Sequence, residues 1–143
     1  MSSKPTKTPS GQLQHFAGCA GSSDAYALAQ LANQKTRQHS RESHLLTVIT
    51  ANAQDARRLL EEIPFFAPDL RINLLPDWET LPYDVFSPHH DLISERLATF
   101  YQIAHNACDV LIIPVTTALY RMPPREFLAA HSFFVNQGST LDL

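Results

Sequence analysis

The chain lacks any apolar run long enough to cross a bilayer; nothing approaches the ~18 consecutive residues that a spanning helix requires. It is short of cysteine, with two in 143 residues. Cys19 and Cys108 fall in no metal-spaced or redox motif, and both are expected to be buried small apolar residues of a thiol-reduced, cytoplasmic protein. Asn-Gly and Asp-Gly are missing, which removes the tight turns that antiparallel hairpins favour. No G-x-S-x-G elbow occurs, so a hydrolase triad has no support. Clustered cations are scarce as well. Residues 1–45 hold five Lys or Arg against two acids, whereas residues 55–109 hold ten acids against four bases. Nucleic acid is gripped by massed cations that displace counterions from phosphates, so direct DNA binding is disfavoured.

What remains is globular. Apolar residues make up 44% of the chain and charged ones 17%, and 143 residues suit one domain. Residues 1–11, MSSKPTKTPSG, offer nothing to bury and lack the apolar run of a secretory signal, so they are read as a disordered tail. Residues 13–17 are a candidate short strand. Ser22 or Ser23 then caps a helix running to about Lys35, with Ala25, Leu28 and Ala32 as its seam. The apolar run of residues 44–50 reads as a buried strand. Asn52 caps a second helix with Ala53, Ala56, Leu59, Leu60 and Ile63 at helical spacing, ending near Pro64. Residues 71–75 make a third strand. Ser87-Pro88 opens a third helix with Ile93, Leu97, Phe100 and Ala104 along one side. DVLIIPV, residues 109–115, is the clearest buried strand. Pro123-Pro124 starts a short helix, and residues 131–138 begin another strand with no helix after it. Apolar strands separated by single amphipathic helices imply a parallel sheet with helices packed on it.

In such a fold the first strand-to-helix turn is where backbone N–H groups and a helix N-terminus would hold a phosphate. Here that turn is FAGCAGSS, residues 16–23. A phosphate loop needs lysine against the β- and γ-phosphates and Ser or Thr on Mg²⁺. With Gly21 set on the second glycine, Phe16 stands at the first glycine and Ser22 at the lysine, so only Gly18, Gly21 and Ser23 match. The loop is degenerate, and no cofactor is expected on Gly18, Gly21, Ser22 or Ser23. His89-His90-Asp91 is the densest cluster of possible ligands. Adjacent side chains on a helix point about 100° apart, so helix-capping or solvated roles are favoured and no metal is expected. Asp91 and Glu95 stand four apart and are read as a solvated face beside Arg96. Trp78, Tyr83 and Phe86 lie on a Pro-rich loop; they form a possible contact loop for a partner, or they pack over the sheet edge and fix the loop. Arg96, Arg121 and Arg125 are read as surface residues. No catalytic residue is assigned.

One segment is specific enough to carry a family resemblance. LPDWETLPYDVFSPHHDLISERLATFYQI, residues 75–103, has the core Asp77-Trp78-Glu79-Thr80-Leu81-Pro82-Tyr83-Asp84, then Ser87-Pro88 and Ser94-Glu95-Arg96-Leu97. It resembles the amino-terminal region of the bacterial transcription-repair coupling factors (Mfd), and DVLIIPVTTALYRMPP, residues 109–124, is similar to the next strand and turn of that family. The resemblance implies a UvrB-like module: a degenerate RecA-like domain over residues 12–129, then the first strand of a second, incomplete domain over residues 130–143. In the family the module links stalled RNA polymerase to nucleotide excision repair, and the following domain docks UvrA. The ATP- and Mg-dependent DNA translocase motor and the polymerase-binding region would lie beyond this chain. This sequence lacks the lysine with which UvrB holds ATP, and the stretch from Trp78 to Ser94 is too short for UvrB's DNA-gripping hairpin. The expectation is a non-catalytic scaffold, contacting other domains of the same protein, with no membrane partner. The alternative is a domain that still binds ATP without the lysine.

Overall fold

The computed structural model describes residues 18–38, 45–78, 89–124 and 126–128, with the side chains of residues 37 and 38 excepted. The elements run α1 Ser23–Gln38, β1 Leu46–Thr50, α2 Ala53–Phe66, β2 Ile72–Leu74, α3 His90–Ala104, β3 Val110–Pro114 and α4 Val115–Ala118. The expected strand at residues 13–17, the Ser87-Pro88 helix start, the strand at residues 131–138, and the tail at residues 1–11 lie outside the described residues. The fold is α/β: three parallel strands in the order β1-β3-β2, flanked by helices, consistent with a RecA-like or UvrB-like domain. Leu46 stands beside Val110 and Thr50 beside Pro114, while Ile72 stands on the other side of Val110 and Leu74 beside Ile112.

β3 is buried along its whole length, as its apolar sequence requires of a central strand covered on both faces. Its alternation divides the core. Val110 and Ile112 face one layer, where Ala25, Ala29 and Ala32 of α1 meet Ala56, Leu59 and Ile63 of α2. Leu111 and Ile113 face the opposite layer with Leu75 and Cys108, against Phe100 and Ile103 of α3 and Ala118 of α4. The alanine stripe of α1 lacks bulk, so α1 lies close on its neighbour. Arg58 of α2 ties the pair together through Asp24 of α1 at 2.6 Å, steadied by Glu62 of its own helix at 2.8 Å.

The helix ends follow local chemistry. Asn52 accepts the Asp55 N–H at 2.8 Å, a side-chain N-cap of α2. α3 closes with Asn106 in the left-handed region at φ 54°. The Ala107 N–H then reaches back to the Gln102 carbonyl at 2.8 Å and the Asn106 N–H to the Ile103 carbonyl at 3.2 Å, a Schellman closure. The amino ends of β2 and β3 are clamped by a fork: the Arg71 guanidinium meets both Asp109 carboxylate oxygens at 2.9 and 2.7 Å.

Four expectations need correction. β1 is not buried throughout: Leu46 and Val48 pack into the first layer, but Ile49 on the opposite face is 62% exposed. Phe100 and Ile103 of α3 cover Leu75, Leu111 and Ile113, leaving that face of β1 open among the described residues. α2 continues through Pro64 to Phe66, because a proline so near the end forfeits only one bond and Ala67 still closes on the Ile63 carbonyl at 3.0 Å. The expected seam of α3 holds at Phe100, which packs on the second layer, but not throughout. Arg96 and Thr99 point inward while Leu97 of the expected seam is 39% exposed. Cys108 is buried as expected, but Cys19 is exposed in the turn before α1. Pro123-Pro124 does precede a helical turn, residues 126–128, with the Leu128 N–H on the Pro124 carbonyl at 3.1 Å.

Candidate functional site at the turn before α1 and the loop after β2

The turn entering α1 is built from two glycines in the left-handed region, Gly18 at φ 76° and Gly21 at φ 58°. A side chain at either would be strained there, although no atom within 4 Å would meet its Cβ. Ser23 N–H closes the turn on the Ala20 carbonyl at 3.3 Å, and the Ser22 carbonyl accepts the first helical bond from Tyr26 at 3.1 Å. Ser22 is half-buried and Ser23 exposed. No lysine is present at the position a phosphate loop would need. In its place the helix brings its own anion. Asp24 accepts the Ala25 N–H at 2.8 Å, and the Arg58 guanidinium beside it holds its carboxyl below the usual carboxylate range. A carboxylate in the first turn interacts favourably with the partial positive charge of a helix N-terminus, the same charge to which a phosphate is drawn.

The second locus is the loop leaving β2. Trp78 is half-buried, and the guanidinium of Arg96 lies 4.3 Å from its ring centroid and 5.9 Å from that of Phe100. Arg96 donates to the Pro76 carbonyl, and Asp77 accepts from the Trp78 N–H at 2.9 Å and the Thr116 hydroxyl at 2.6 Å. The Thr99 hydroxyl lies 3.3 Å from the Leu74 carbonyl and 3.0 Å from that of Glu95. The loop is thereby pinned to α3 on one side and α4 on the other. Tyr83 and Phe86 lie outside the described residues, so the three aromatics are not seen together.

Arg96 corrects its own sequence reading. It is 4% exposed, its Nε has no hydrogen-bond partner, and burial pushes its pKa down despite the nearby Asp77 carboxylate. The signal that could have found it is spacing: Arg96 stands four before Phe100, one turn along the same face. Arg121 is exposed, as read, and the Arg125 side chain lies outside the described residues. His89 caps α3, its Nδ1 accepting the Asp91 N–H at 3.4 Å, while Asp91 and Glu95 stay in solvent. Among the described residues no cluster of His, Cys, Asp and Glu is placed to hold a metal ion, and no helix is long and apolar enough to cross a membrane.

No family model matches the chain. Curated proteins do match it. It is 45% identical over 96 residues to the transcription-repair-coupling factor of Escherichia coli, covering 67% of this chain and 8% of that protein. To the protein of the same name in Haemophilus influenzae it is 30% identical over 118 residues, 82% of this chain and 10% of that one. The chain belongs to the transcription-repair-coupling factor family. A Rickettsia bellii coupling factor agrees at 32% over 85 residues, 59% of this chain and 8% of its own length. The chain thus spans about a tenth or less of the coupling factors it matches, in line with a segment of a longer family member.

Proposed function

We propose that this chain is part of the UvrB-like module of a transcription-repair coupling factor and serves there as a non-catalytic scaffold. Within the longer protein the module links stalled RNA polymerase to nucleotide excision repair, the domain after this one docks UvrA, and ATP with Mg²⁺ serves a separate DNA translocase motor. The polymerase and DNA are met by other regions, and the protein works in the cytoplasm. The observation that supports this reading is a turn without lysine, entering a helix whose first-turn carboxylate, Asp24, is paired with Arg58. Trp78, locked onto Arg96, supports a loop held in shape for other domains.

A second reading keeps a weak nucleotide site, favoured by the open space around Gly18 and Gly21. The two separate in cells carrying Ser22→Ala and Ser23→Ala in the longer protein. The scaffold reading expects repair of the transcribed strand and DNA-stimulated ATPase at wild-type rates, while a phosphate site would lose about tenfold or more in repair, the effect of removing ~1.4 kcal/mol. Deleting residues 12–129 is expected to abolish coupling and leave the ATPase.

A further inference from the structure

The layer formed by α1 and α2 ends in an aromatic patch that the scaffold role does not use. Tyr26 meets Phe66 edge-on with ring centroids 5.5 Å apart, and Phe66 meets Phe65 edge-on at 5.2 Å. Phe66 packs against the first core layer, but Tyr26 is 51% and Phe65 83% exposed. Single exposed apolar residues are ordinary; three touching rings make a patch.

The surrounding charge indicates what covers it. α2 has no base in its last turn. Exposed Glu61 stands one turn before Phe65 on the same side, Glu62 one turn before Phe66, and exposed Asp69 follows just beyond. Arg58 is engaged with Asp24 and Glu62, and Arg57 lies a further turn back. Pro64 has no N–H to offer the Leu60 carbonyl, and the negative end of the helix dipole points the same way. Acids in this position repel DNA and anionic lipid. They also oppose a symmetric pair of copies, which would bring like patches together. Aromatic faces backed by carboxylates favour Lys and Arg.

Size decides between a free partner and a tethered one. Tyr26 and Phe65 are only partly free and Phe66 packs against the core, so of the ~150–250 Å² that each ring can bury the three offer roughly 250–400 Å². Over both partners that is about 500–800 Å², short of the ~1,000 Å² in total that a stable complex of separate proteins needs. A segment of the same polypeptide binds at an effective concentration of order millimolar, so a small patch suffices. We propose that Tyr26, Phe65 and Phe66, edged by Glu61 and Asp69, dock a basic segment studded with apolar residues from elsewhere in the longer protein. The proposal rests on the reading that this chain is part of such a protein.

The test places a photo-reactive benzophenone amino acid at position 65 of the full-length protein, where high exposure leaves folding untouched. Irradiation is expected to link position 65 to a Lys- or Arg-rich segment outside residues 1–143. The yield should fall several-fold in about 1 M salt, where the screening length shrinks to ~3 Å, and likewise with Glu61→Lys. Links confined to Lys4 and Lys7 of this chain, to a second copy or to another protein would overturn the proposal, as would no links at all. An immunoblot of the native protein tests the underlying reading separately: a polypeptide no longer than 143 residues in cells would defeat that reading itself.

Discussion

Arg96 shows how a single side chain sets the loop after β2. It is a buried guanidinium that donates to the Pro76 carbonyl and lies against the ring of the chain's one tryptophan. Truncating it removes that ring contact and orphans a carbonyl, so Arg96→Ala is expected to lose about 2–4 kcal/mol. Arg96→Met keeps the packed stem and discards a cation held out of water but leaves the same carbonyl without its donor, and is expected to lose less, about 1–2 kcal/mol. Because Trp78 is the only indole, its emission should shift in the folded Arg96→Ala protein; an unchanged spectrum would count against the contact. The two cysteines make a second contrast. Burial, with the Asp109 carboxylate nearby, pushes the Cys108 thiol up to about 11, so at pH 8 about a thousandth is thiolate. Cys19 is exposed. Titration with a disulfide reagent should find one fast thiol in the native protein and a second only on unfolding. Two fast thiols would contradict the structure.

At the scale of elements, legibility followed how many layers a segment touches. DVLIIPV announced β3 because a strand covered on both faces has no room for polar residues, and Asn52 announced α2 because its cap is purely local. β1 looked equally apolar, yet Ile49 faces outward, since which face a neighbouring helix covers is a tertiary matter. α3 was misread at Arg96, Leu97 and Thr99 for a similar reason. Thr99 reaches the Leu74 carbonyl and Arg96 the Pro76 carbonyl, so polar residues share the covered side with Phe100 and Ile103. In the candidate site, Gly18 and Gly21 were legible as turn residues, and both stand at positive φ. The role of Asp24 depends on Arg58, 34 residues away, and left no local pattern, while that of Arg96 showed locally only in its spacing from Phe100. The two strands give a direct check. Ile112→Ala, at a fully buried position, is expected to lose about 2–5 kcal/mol. Ile49→Ala is expected to change stability by less than about 0.5 kcal/mol. Denaturant unfolding of both variants measures the difference, and equal losses would place a cover over β1.

For the whole molecule, the parallel sheet is of the kind that binds nucleotides, but the turn at its helix entrance lacks the lysine of a phosphate loop. The glycines permit the turn, the lysine is absent, and an aspartate paired with Arg58 stands at the helix end. The matching coupling factors are ten or more times longer than the matched segment, and under the proposed reading nucleotide chemistry belongs to other parts of that length. The central claim is that this chain positions other parts of a repair factor and does not itself bind ATP. Its most direct test is the melting temperature of the chain with and without millimolar Mg-ATP. A ligand at about 100 times its Kd adds ~2.7 kcal/mol, which raises the melting point of a domain this size by several degrees. The scaffold account expects one cooperative transition that does not move. An upward shift of several degrees, abolished by Ser23→Ala, would contradict it and assign the turn before α1 to nucleotide.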